Sequence, residues 1–166
     1  MYKRQILDSA ADTKDSLIKN PEPALIAAYA IITGTDQYFS LTDEGSLMPG
    51  LSDWVEQLVA ESTGKNGVGR LPIVLEKSSD LIAGDYLSVA FDGKSDLVIA
   101  GDLGSQFFFW QWVTALIGAG LNIDPFNQPN VQESKLASGN LLDQWANALP
   151  ALENHSIDAS IAYFES

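Results

Sequence analysis

Residues 107–121, FFFWQWVTALIGAGL, are apolar on nearly every side of a helix built from them. A helix hydrophobic all round has to be covered all round. The run is shorter than the ~20 residues that span a bilayer and it carries Gln111, so the cover it calls for is protein. A helix over about 105–120 is therefore expected at the centre of the molecule. A chain of 166 residues, 46% hydrophobic and 19% charged, can bury one substantial core and is too apolar to stay disordered.

What surrounds that helix follows from three short apolar runs, Leu71–Leu75, Tyr86–Phe91 and Asp96–Ala100, with Tyr38–Thr42 as a briefer fourth. Continuous apolar strands of this length suit a sheet covered on both faces. Helical patterns separate them. Residues 2–19 are weakly amphipathic through Ile6, Ala10, Leu17 and Ile18. Residues 21–33 form a mostly apolar helix with Pro21 and Pro23 in its first turn, where a missing N–H does no harm, and Gly34 at its end. DWVEQLVAES reads as a helix with Ser52 as its cap and Asp53 at the positive end of its dipole. After a 121–130 loop come a short helix and then an amphipathic one over 141–149, ended by Pro150. The alternation imposes an α/β class: a three-layer αβα sandwich with a mainly parallel sheet, of flavodoxin-like or Rossmann-like kind. One domain over 1–166 is expected, with a helical N-terminal segment (1–35), a core (36–150) and a tail (151–166) whose alternation over 157–164 reads as a strand.

Charge and composition narrow the partners. Nine basic against 22 acidic residues give a formal net charge of −13 and a pI near 4.1. Such a surface repels nucleic-acid backbones and anionic lipid, so neither nucleic acid nor membrane is an expected partner. The absence of cysteine removes disulfides, thiol nucleophiles and thiolate metal sites. The N-terminus has no apolar signal segment, and a cytoplasmic location is expected.

Two constellations offer chemistry. Gln57 and Glu61 stand at i and i+4, one turn apart on one helix face, just before the glycine-rich stretch Gly64-Lys65-Asn66-Gly67-Val68-Gly69. A carboxylate there can approach a ligand held over the strand ends, where α/β folds bind ligands. By spacing alone the same pair is an ordinary solvated helix face. The glycine stretch is not a nucleotide loop, because GxxxxGK followed by Ser or Thr is absent, as is GxGxxG. The second constellation is Gln128 and Lys135, seven residues apart after the Asp124-Pro125 turn.

Together these segments resemble a known family. Gln57-Leu58-Val59-Ala60-Glu61-Ser62-Thr63-Gly64-Lys65 is similar to the QxxxESxGK motif of glucose-6-phosphate isomerases. LNIDPFNQPNVQESK (121–135) resembles the C-terminal signature of that family, closest to the bacterial form fused to transaldolase. The resemblance covers roughly residues 50–136 and implies a sugar-isomerase (SIS) lobe, the C-terminal of two. It also implies roles: Glu61 as the base that moves a proton between C1 and C2 through an enediol, Lys135 in ring opening, and Gln57 and Gln128 in binding substrate. No metal or organic cofactor is implied. Carbohydrate metabolism, in glycolysis and gluconeogenesis, would be the setting.

The resemblance is partial. The Ser/Thr-rich phosphate loop and the Gly-Gly-Arg motif of the first lobe are missing, and Arg70 stands in a different context. Gln106 falls where many members carry a catalytic histidine, and His155, the sole histidine, reads as a solvated loop residue. The implied partners are an N-terminal SIS lobe or a transaldolase domain in a longer protein, and self-association as a homodimer through apolar surface left uncovered. A non-catalytic sugar-phosphate-binding or regulatory module is the alternative reading, and a purely structural domain the third.

Overall fold

The computed structural model describes residues 2–65, 67–77, 79–80, 84–127 and 129–147. Its elements in chain order are α1 (Tyr2–Lys19), α2 (Glu22–Thr33), β1 (Tyr38–Thr42), α3 (Leu51–Thr63), β2 (Leu71–Val74), β3 (Leu87–Ala90), β4 (Leu97–Val98), α4 (Leu103–Gly120) and α5 (Pro129–Asn147). The four strands form one sheet in the order β2-β1-β3-β4. All pairings are parallel: Tyr38 lies opposite Leu71, Phe39 opposite Leu87, and Val89 opposite Leu97. The fold is α/β, a three-layer arrangement of helices packed on an all-parallel sheet, as the strand–helix alternation requires. Four consecutive residues of β1, Phe39 to Thr42, are buried, so this inner strand is covered on both faces.

The chain divides into two compact units, 1–128 and 129–166. The core belongs to the first. Trp110, Val113 and Ile117 of α4 are fully buried together with Phe39, Leu41, Val55, Val59 and Val89. Helix α4 touches α1, α2 and α3, but its cover is not complete: Gln111 is exposed and Phe108, Phe109 and Trp112 are only part-buried. Phe91 meets the Trp110 ring edge-on at 6.3 Å, and Phe107 meets Trp54 of α3 at 4.6 Å. Where α1 crosses the start of α4 there is room only for glycine: a Cβ on Gly104 would stand 2.0 Å from the Ile6 carbonyl oxygen.

The helix ends show which local signals won. Helix α3 does not start on a Ser52 cap. Gly50, at φ +84°, holds the N-cap position, and the Asp43 carboxylate, arriving from the end of β1, accepts from the Gly50 N–H at 2.7 Å and the Ser52 N–H at 3.4 Å. The Ser52 side chain is buried instead, its hydroxyl without a partner among the described residues. A remote carboxylate thus performs the capping that sequence assigned to the local hydroxyl. Asp53 does lie in the first turn. Helix α4 is capped locally: the Asp102 carboxylate accepts from the Ser105 N–H at 2.9 Å and from the Ser9 hydroxyl of α1 at 2.6 Å.

Two helices expected after the 121–130 loop are one. Helix α5 runs unbroken from Pro129 to Asn147, through Gly139. A single glycine costs a helix only about 1 kcal/mol relative to alanine, less than ending and restarting it. The expected tail strand over 157–164, Pro150 and His155 lie outside the described residues.

Candidate functional site at the amino edge of the sheet

Helix α3 connects β1 to β2, which run parallel, so it must travel back along the sheet from the carboxyl edge to the amino edge. Its last turn, where Glu61 stands, therefore lies at the edge where the strands begin. This corrects the expectation that Glu61 faces the carboxyl ends, the usual binding edge of an α/β sheet. Gln57 and Glu61 do meet: the Gln57 carboxamide donates to Glu61 Oε1 at 3.1 Å, and both side chains are exposed. The bond engages one oxygen of the carboxylate.

The residue that organises this edge is Lys65, the last of the QxxxESxGK string. Its side chain is only 6% exposed. Its ammonium donates to the Asp124 carbonyl at 2.6 Å and to the Asn127 carbonyl. These carbonyls belong to the turn that ends α4, and the turn is built locally. Asn122 takes a left-handed conformation at φ 57°. The Asn122 N–H then bonds the Ala119 carbonyl and the Ile123 N–H bonds the Gly118 carbonyl, a Schellman closure with asparagine in the glycine position. Asp124 next accepts from the Phe126 N–H at 2.9 Å, and Pro125 prevents the helix from resuming. Lys65 thereby joins the loop after Glu61 to the segment running into Gln128. Gln128 itself lies outside the described residues. Lys135 is an exposed residue of α5, in the second compact unit.

Arg70 is also spent on structure. Its guanidinium donates to the carbonyls of Ile31 and Ile32, the last-turn acceptors of α2 that no intrahelical N–H reaches. Lys65 and Arg70 thus both serve backbone carbonyls. Gln106 is 1% exposed and donates to the Ile99 carbonyl at 2.6 Å, tying α4 to the end of β4. It lines a cavity of about 490 Å³ with Thr13, Ile26 and Phe109.

The larger cavity, about 1120 Å³, was not anticipated from sequence. It opens at the opposite, carboxyl edge, between the segments that follow β1, β3 and β4. Its walls come from six stretches of chain, which no single motif reveals. The fold and the amino-edge geometry define the class as an α/β domain with a carboxylate–carboxamide pair beside a lysine-locked loop. No family model, curated protein or solved structure matches the chain. No helix among the described residues is long and apolar enough to cross a membrane.

Proposed function

We propose that the chain is the acid–base lobe of a cytoplasmic glucose-6-phosphate isomerase. Glu61 removes the proton from C2 of open-chain glucose 6-phosphate and returns it to C1 through an enediol. One carboxylate serves both steps when it reaches both carbons. Gln57 orients that carboxylate, Lys135 assists ring opening, and Gln128 contacts the substrate. The observation that carries the reading is the Lys65 ammonium bridging the two motif segments: it accounts for why a lysine ends the first and why the second opens on a tight turn. The Ser/Thr-rich phosphate loop and the Gly-Gly-Arg motif are missing from the sequence, and Lys65 and Arg70 donate to carbonyls. The phosphate cradle is therefore expected from an N-terminal SIS lobe or a transaldolase domain. The chain alone is expected to bind sugar phosphate weakly and turn it over little.

The test uses the chain with fructose 6-phosphate at millimolar concentration, in D2O. The expected outcome is a raised melting temperature and slow deuterium incorporation into the recovered sugar phosphate, the incorporation lost in Glu61→Gln. Binding with no deuterium incorporation in either protein would identify the non-catalytic sugar-phosphate module instead. Absence of any melting shift overturns both.

A further inference from the structure

The 1120 Å³ cavity lies where this topology places a crevice. From β1 the chain passes to β2 on one side, then crosses back to β3 on the other, so the connections diverge between β1 and β3 at their carboxyl ends. Ligands of open α/β sheets bind at that point. Here the opening is walled by residues 46–51 after β1, Phe91 and Asp92 after β3, residues 100–103 after β4, and one face of α1. Its floor is apolar and aromatic, with Trp54 and Phe107 packed together at 4.6 Å, and Leu47 at the mouth is 98% exposed.

The sign of its charge is the informative property. Crevices of this kind usually hold anions on the helix N-termini that face them. Both such termini are already occupied by carboxylates of this chain, Asp43 at α3 and Asp102 at α4. Among the described residues no lysine or arginine lines the opening, while Asp92 and Asp102 do. We propose that this carboxyl-edge cavity is a second binding site, distinct from the Glu61 edge, for a small cation with a flat apolar body such as an aromatic amine. The ring lies against Trp54 and Phe107, the ammonium beside Asp92. Anions are rejected because the helix ends that would attract them are neutralised and the walls are acidic.

The test compares two probes with the same ring and opposite charge, tryptamine and indole-3-acetate, by calorimetry on the full chain. Tryptamine is expected to bind saturably, at least tenfold more tightly than indole-3-acetate. Asp92→Asn should weaken tryptamine by threefold or more and narrow the gap between the probes. Trp54→Leu should weaken tryptamine, and the melting curve of each variant establishes that it is folded. Glu61→Gln should leave tryptamine binding unchanged, which separates this site from the proposed isomerase edge. Indole-3-acetate binding as tightly as tryptamine, or tryptamine uptake that is non-saturable and equal in folded Asp92→Asn, overturns the proposal. Loss of tryptamine binding in step with self-association at higher protein concentration also overturns it, and makes the face an interface between copies.

Discussion

Lys65 illustrates how one side chain can carry a local architecture. Its ammonium is buried against two carbonyls that have no other described use. Replacing it by methionine keeps the apolar stem and orphans both acceptors. Hydrogen bonds to a charged group contribute about 1.5–3 kcal/mol each, and an unsatisfied buried acceptor is penalised further. Lys65→Met is therefore expected to lower the unfolding free energy by about 2–4 kcal/mol, read from urea denaturation. A change under half a kilocalorie would mean water replaces the ammonium freely. Asp102 allows a second prediction. The Ser9 hydroxyl and then the Ser105 N–H hold its carboxyl below the usual carboxylate range. A depressed folded-state pKa contributes stability above the unfolded-state value, and that contribution is lost as pH falls through the folded-state one. Asp102→Ala should melt earlier than the parent at pH 7, with the gap closing as the pH drops below the ordinary carboxylate range. A gap constant with pH would exclude the carboxylate as its source. The lysine was legible in sequence as a motif member, but its partners were not, because they lie about sixty residues away and are backbone atoms.

Among the elements, α1 and α4 are the most tightly matched pair. Gly104 lets the helices approach until the Ile6 carbonyl and the Ser9 hydroxyl occupy the space a Cβ would need. Both obstacles are on a helix, one of them backbone, so neither yields cheaply. Gly104→Ala should cost about 1–3 kcal/mol, as overpacking of a core does, and should raise the proteolysis rate within residues 2–19. Gly139→Ala on exposed α5, where nothing lies within 4 Å of the new methyl, should instead raise helicity slightly. The elements themselves were largely legible. Strand β1 and helix α2 fall within a residue of their expected limits, because apolar runs and proline punctuation mark both. What failed were ends set by distant groups. The sequence reads Ser52 as the cap, but the N-cap of α3 falls two residues earlier, at Gly50, and Asp43 in the loop after β1 accepts from the Gly50 and Ser52 N–H groups.

For the whole molecule, every buried apolar side chain of the core among the described residues precedes residue 118, and the division falls at 128. A chain ending at Gln128 retains the Asn127 carbonyl that Lys65 needs, and is expected to unfold in one cooperative transition by circular dichroism. A broad, non-cooperative melt would show that the second unit completes the core. The sequence by itself determined the class of this protein, since strand-length apolar runs alternating with helical periods admit little but a helix-covered parallel sheet. It also marked the 105–120 helix as a core element, which holds for the face of Trp110, Val113 and Ile117, whereas Gln111 on the other side stays exposed. Tertiary structure alone decided which edge each chemical group occupies. A crossover helix between parallel strands must run backwards, and that sends Glu61 to the amino edge while bringing Trp54, Asp92 and Asp102 together at the carboxyl edge. Sequence spacing records position along the chain but not the direction of travel across the sheet.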